Sequence, residues 1–290
     1  CRCQKQIMMR GGGGLILCGK TDVGEKRNTN QDTFAVRMII PQVSLGVVCD
    51  GMGGANGGNI ASTIARDVFV GQIESFFIRV QARRALRYVT EGDCSALLAH
   101  AVVAANRAVY DMAQQRPELK GMGSTLVAAL AVGGQVHVVN VGDSRMYLMS
   151  QGELSQVTRD HSLVQHLLDT GKITGEEAKN YPKKNMITRA VGIEKGIEAD
   201  ILSVDLSDCE EAVILLCSDG LSNFISDEGI HTLLQAHFRV EMRDTFTAEK
   251  TVQTLIDTAN ANGGGDNVTA VLMAYQAERN EHAHGSNTTI

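Results

Sequence analysis

The apolar run at residues 43–49 ends in a carboxylate, Asp50, followed at once by Gly51-Met52-Gly53-Gly54. Such a run reads as a buried strand, so the acid sits where the strand leaves the core. Backbone with three glycines in four positions can approach a ligand closely, and oxygen ligands suit a hard cation. The pattern returns at Cys217-Ser218-Asp219-Gly220, and more loosely at Gly263-Gly264-Gly265-Asp266-Asn267. Three Asp-bearing loops at the edges of apolar strands predict one carboxylate-lined metal site.

The rest of the chain supplies both helices and strands. Apolar residues recur at helical spacing over 60–80 (Ile64, Val68, Ile73, Phe76, Phe77) and over 95–113 (Leu98, Val102, Ala105, Val109). Residues 125–132, 135–141 and 145–149 read as three consecutive strands. Gly133-Gly134 joins the first two as a hairpin, and antiparallel pairing of neighbours is expected throughout. Short polar helices follow at 162–171 and 174–180. The second opens with Thr174 and Glu177 spaced as a capping box, and Tyr181-Pro182 stops it. A buried strand at 212–217, helices at 226–238 and 248–261, and a final strand at 268–275 complete the series. Strands and helices are segregated rather than alternating, which favours a layered α+β fold. Residues 1–18 and 276–290 are predicted tails around a domain at 19–275, too polar or glycine-rich to offset their ordering entropy.

With 290 residues, 43% of them hydrophobic, the chain can bury a sizeable core. Its net charge of -6 and lack of a long basic block argue against nucleic acid or an anionic membrane as partner. Arg79, Arg83, Arg84 and Arg87 read as a solvated helix face. Seven cysteines, an odd number without a C-x-x-C pair, point to a reducing compartment, hence the cytoplasm. No stretch approaches the roughly 18 apolar residues of a membrane span. Leu15-Ile16-Leu17-Cys18 is preceded by Arg10 and four glycines rather than by a signal-peptide core, so lipidation is not expected.

The chemistry centres on Asp32, Asp50, Asp143, Asp219 and Asp266. Oxygen-only ligation suits magnesium or manganese, and no His or Cys shares these motifs. Two such carboxylates at 4 Å repel by about 4 kcal/mol at an effective dielectric near 20, so convergence calls for cations or raised pKa values.

The motifs also come in a telling order. Asp22-Val23-Gly24-Glu25-Lys26-Arg27-Asn28-Thr29-Asn30-Gln31-Asp32 is followed by the Asp50 loop, Gly121-Met122-Gly123-Ser124-Thr125, Gly142-Asp143-Ser144-Arg145, Asp160-His161-Ser162, Ser218-Asp219-Gly220-Leu221 and Gly265-Asp266-Asn267-Val268-Thr269. This series resembles the metal-dependent serine/threonine protein phosphatases of type 2C in their bacterial form, over roughly residues 19–275. The resemblance implies a four-layer αββα sandwich, two antiparallel sheets flanked by helices, with a small helical flap at about 160–190. It implies two divalent cations, Mn2+ or Mg2+, bridged by Asp50 and a water. Gly51 would offer its carbonyl to one metal, Asp219 and Asp266 would ligate the other, and Asp32 would touch metal-bound water. Gln31 stands where the animal enzymes have glutamate. Arg27 matches the phosphate-binding arginine, whose fork can grip two oxygens; His161 on the flap could touch substrate, the other reading being a structural cap or a surface histidine. Asp143 with Asp219 matches a third metal site of bacterial relatives, although Asn223 replaces an aspartate there. Met52 replaces the histidine proposed as general acid in animal members. The implied reaction is direct attack of a metal-bound hydroxide on phosphoserine or phosphothreonine in proteins; no C-x5-R loop supplies a cysteine nucleophile. The implied context is a cytoplasmic monomer opposing a serine/threonine kinase. A catalytically silent regulatory relative is the competing reading. Calcium-binding turns are disfavoured because the D-x-D-x-D-G spacing is missing.

Overall fold

The computed structural model describes residues 14–179, 181–182, 185–238 and 245–276. In chain order the strands are β1 (Gly14–Asp22), β2 (Asp32–Ile40), β3 (Val43–Met52), β4 (Gly123–Ser124), β5 (Leu126–Val132), β6 (Gln135–Val141), β7 (Arg145–Ser150), β8 (Glu153–Gln156), β9 (Asp200–Asp205), β10 (Glu211–Cys217) and β11 (Val268–Gln276). The helices are α1 (Gly54–Ala82), α2 (Glu91–Gln115), α3 (Leu163–Asp169), α4 (Gly175–Lys179), α5 (Asp219–Ser222), α6 (Asp227–Phe238) and α7 (Thr245–Ala261).

One sheet runs β1-β11-β10-β7-β8. The other runs β2-β3-β5-β6-β9, with β4 paired to the end of β3. Every described pairing of named strands is antiparallel. Three apolar clusters fill the gaps between four layers. Val43, Leu45, Val47 and Cys49 of β3 pack on α1 and α2. Val48 of the same strand faces Leu216 and Val271 of the opposite sheet. Val213, Leu215 and Cys217 of β10 face α6 and α7. Strands covered on both faces need no polar alternation, which is why 43–49 and 212–217 read as unbroken apolar runs. A Cβ on Gly46 would come within 2.9 Å of Met273 Sδ, so the sheets close onto bare backbone there. This is the αββα sandwich that the sequence implied.

Several boundaries differ from the sequence reading. Leu15–Cys18, placed in the N-terminal tail, form the first half of β1, with Leu17 buried between the sheets and Ile16 and Cys18 under the helices. At the other end β11 reaches Gln276, and the remaining tail assignments lie outside the described residues. The three strands of 125–149 do not form one meander. Gly133 (φ 61°) turns β5 into β6 as expected, but β7 pairs with β10 and β8 in the other sheet. Gly142, at φ 107°, makes that crossing, and a Cβ on it would lie 2.6 Å from Thr125 Cγ2. α2 starts at Glu91 because Thr90 and Asp93 form a capping box. The box at Thr174 and Glu177 forms as the sequence predicted. Arg79, Arg83, Arg84 and Arg87 are exposed, but α1 ends at Ala82, so only Arg79 lies on its last turn.

Candidate metal centre

The register of the paired strands assembles the site. Asp32, at the start of β2, lies directly opposite Asp50 near the end of β3. Both backbone polar groups of Asp50 are held: its N–H donates to Thr125 Oγ1 at 2.9 Å, and its carbonyl accepts from Thr125 N–H at 2.8 Å and Ser124 Oγ at 3.0 Å. Thr125 Oγ1 is in turn 2.7 Å from Ser144 Oγ, beside Asp143 on the crossing loop. Gly51 cannot carry a side chain, since a Cβ would lie 2.0 Å from the Gly58 carbonyl oxygen. The first turns of α1 therefore close onto the end of β3 through bare backbone.

The opposite sheet contributes the other acids. Asp219 opens α5 directly after β10, where a Cβ on Gly220 would strike the Asn267 carbonyl at 2.0 Å. One oxygen of Asp219 accepts from Asn223 Nδ2 at 3.0 Å; the other is buried without a partner among the described residues. Asp266 accepts from the Asn267 N–H at 2.8 Å and from Arg27 Nη2 at 2.8 Å. Asn267 also fixes the preceding loop, accepting from Gln31 N–H and donating to the Val23 and Thr29 carbonyls. Ser218 Oγ and Thr269 Oγ1 both donate to Asp32 Oδ2 at 2.7 Å, while Asp32 Oδ1 is buried without a partner among the described residues.

These acids feel one another. Burial pushes the Asp32 carboxyl up to about 7, against two hydroxyl donors that pull it down and with the charges of Asp219 and Asp266 adding to the rise. Asp143 is pushed up to about 8, by burial first and then by Asp219. Asp50 rises well above the carboxylate range through burial and the charges of Asp32, Asp219, Asp143 and Asp266. Asp219 rises through burial first and then through the charge of Asp266. Clustered carboxylates with raised proton affinity and unpartnered buried oxygens fit a cation that would replace the protons. Among the described residues no three acidic, His or Cys side chains converge tightly enough to chelate one ion alone. An ion held here would therefore complete its coordination with water, as ions that keep several waters do.

Of the residues singled out in the sequence, Asp32, Asp50, Gly51, Asp143, Asp219 and Asp266 come together, and Arg27 stands at the rim, half exposed, on Asp266. His161 is buried, and both ring nitrogens are engaged, Nδ1 by the Gly142 N–H and Nε2 by Asp200, which are the contacts of a structural residue. Met52, on the last residue of β3, carries a thioether without an ionisable proton, so protonation of a leaving oxygen does not fall to this position. The supporting groups Thr125, Ser144, Ser218, Thr269 and Asn267 went unrecognised in the sequence. For Ser144, Ser218, Asn267 and Thr269 the signal was a hydroxyl or amide within three residues of an acid; Thr125, 75 residues from the Asp50 it holds, had no such signal.

The matched model of protein phosphatase 2C covers residues 24–257. The chain is 34% identical over 258 residues to the serine/threonine phosphatase stp of Listeria welshimeri, covering 88% of this chain and 93% of that one. It superposes on the crystal structure of the serine/threonine phosphatase Stp1 from Staphylococcus aureus with a TM-score of 0.77 and 33% identity, covering 93% and 98% of the two chains. The catalytic domain of the serine threonine protein phosphatase PstP, solved in complex with two manganese ions, matches with a TM-score of 0.71 and 33% identity, covering 91% and 99%. With the motif order, the sandwich and the carboxylate floor all in place, the chain belongs to the protein phosphatase 2C family.

Proposed function

We propose that the chain is a divalent-metal-dependent phosphatase that hydrolyses phosphoserine and phosphothreonine monoesters in proteins. The convergence of five carboxylates on one floor, with Arg27 as the basic group at its rim, carries this reading. Two divalent cations bound there would supply an activated water at neutral pH and offset the charge of the phosphoryl group. Asp50, with the Gly51 carbonyl, Asp219 and Asp266, would hold these ions. Asp32, held by the Ser218 and Thr269 hydroxyls, would orient metal-bound water. Asp143 and Asp219 would hold a weaker third ion, with Asn223 as a neutral neighbour. Arg27 reaches the site on an exposed, forked side chain and binds two phosphate oxygens by leaving Asp266. Manganese and magnesium both suit this set.

Among the described residues Cys49, Cys94, Cys209 and Cys217 are free, which fits a reducing compartment such as the cytoplasm, and no described helix is long and apolar enough to cross a membrane. A serine/threonine kinase acting on the same proteins is the natural counterpart. Turnover of p-nitrophenyl phosphate and of a phosphothreonine peptide, with manganese, magnesium or EDTA, tests the reading. We expect activity with either metal, none under EDTA, and loss of at least about 100-fold in Asp50→Ala. Activity surviving complete chelation would refute the metal mechanism, and inactivity with both metals would favour the silent regulatory relative.

A further inference from the structure

His161 lies where three segments meet. The Gly142 N–H donates to its Nδ1 at 3.2 Å, and its own N–H returns a bond to the Gly142 carbonyl at 2.9 Å. Its carbonyl accepts from the Thr188 N–H at 2.7 Å, at the far end of the flap. Its Nε2 is 3.1 Å from Asp200 Oδ2. A backbone N–H can only donate, so Nδ1 accepts and the ring proton belongs on Nε2, where Asp200 receives it. Arg189 Nη1, 3.2 Å from Nε2, finds no lone pair there and is satisfied by Asp200 Oδ1 at 2.9 Å.

Gly142 is the pivot for Asp143. Its φ of 107° and the closeness of Thr125 fix the direction in which the next residue leaves. Three residues further on, Arg145 grips Asp160 through Nε at 2.9 Å and Nη2 at 2.7 Å. The crossing loop and the entry to the flap are thus laced pairwise, 142 to 161 and 145 to 160. The flap's exit is fastened beside the other sheet's acid, where Val191 and Ser124 exchange both backbone hydrogen bonds next to Asp50.

We propose that His161 is a positioning residue: by holding the Gly142 amide it sets the Asp143 carboxylate and ties that loop to both ends of the flap. This rests on the reading of Asp143 as a metal-site residue. Partners of this kind are worth about 10–100-fold in metal affinity or activity. In the metal-free wild type, ring-nitrogen shifts should show the Nε2–H tautomer, and the Gly142 amide should exchange slowly. His161→Ala should speed that exchange, lower kcat on p-nitrophenyl phosphate about tenfold at unchanged KM, and weaken the weakest manganese-binding step seen by calorimetry. His161→Asn, whose side-chain carbonyl can accept the same N–H, should recover most of these losses. The Asp143→Ala/His161→Ala double variant should be no slower than Asp143→Ala alone. An Nδ1–H tautomer, a His161→Ala effect on KM alone, or additive losses in the double variant would overturn the proposal; if His161→Ala does not fold, the tautomer and His161→Asn decide. A slowed Asp143→Ala beside an unaffected His161→Ala would overturn the positioning role alone, whereas a fully active Asp143→Ala would remove the reading beneath it and the proposal with it.

Discussion

Asp32 has two hydroxyl donors on one oxygen and, among the described residues, none on the other. Its burial raises the proton affinity, and Ser218 and Thr269 oppose that rise. Ser218 also accepts the Thr269 N–H at 3.0 Å, so this one hydroxyl joins β10, β11 and β2. Ser218→Ala should therefore cost about 1–3 kcal/mol, the usual consequence of leaving buried polar groups short of a partner. Urea unfolding of the metal-free protein measures it, and a change under 0.5 kcal/mol would contradict the account. The acids themselves were legible because five of them border apolar strand runs or glycine turns in one telling order, where a single Asp-Gly would read as an ordinary turn. The hydroxyls were not, because Ser and Thr are common in strands and loops, and only the three-dimensional register shows which of them meet a carboxylate. His161 was legible as a special residue but not in its role: the sequence places it on the flap, and only the crossing at Gly142 brings a backbone amide to its ring.

At the level of elements, strands buried on both faces were easily read, and edge strands were not. β8 (Glu-Leu-Ser-Gln) and β9 (Asp-Ile-Leu-Ser-Val-Asp) sit at sheet edges and are polar and short, so neither period nor composition marks them. β1 escaped notice because its apolar half follows four glycines and its strand partner, β11, lies more than 250 residues away. The β6 to β7 crossing was misread for a related reason, since hairpin spacing is the same whether the next strand joins its neighbour's sheet or the facing one. The glycines of the Asp50 loop separate two effects that the sequence could not. Gly51→Ala drives a Cβ against the Gly58 carbonyl at 2.0 Å, backbone against backbone, and should cost about 3 kcal/mol with loss of metal-dependent turnover. Gly54→Ala meets nothing within 4 Å and carries only the strain of φ 52°, about 1–2 kcal/mol. Denaturant midpoints of the two variants should rank in that order; the reverse ranking would show that φ, not the close approach, governs this loop.

For the whole molecule, the sandwich sets its acids against its own stability. Asp32 and Asp143 titrate in the fold near 7 and 8, far above their unfolded range. Between about pH 4 and 8 the folded chain therefore holds protons that the unfolded chain has released, and linkage makes stability fall as pH rises through that window. A divalent cation removes the cause, because it stabilises the ionised form and binds the folded chain alone. At a hundredfold excess over its dissociation constant one ion adds about 2.7 kcal/mol. At about 2–4 °C per kcal/mol for a domain of this size, that is a rise of about 5–10 °C in Tm. The expected pattern is a metal-free Tm that declines from pH 5 to 8, and a manganese-loaded Tm that stays level or rises over the same range, so that the gap widens with pH. Differential scanning calorimetry with EDTA and with manganese at four pH values measures both curves. A gap that narrows toward pH 8 would mean that the carboxylates are not the groups whose protons the metal displaces. The layers and the resemblance made the fold legible in advance, but this antagonism between burial and charge became visible only once β2 met β3 with Asp32 opposite Asp50.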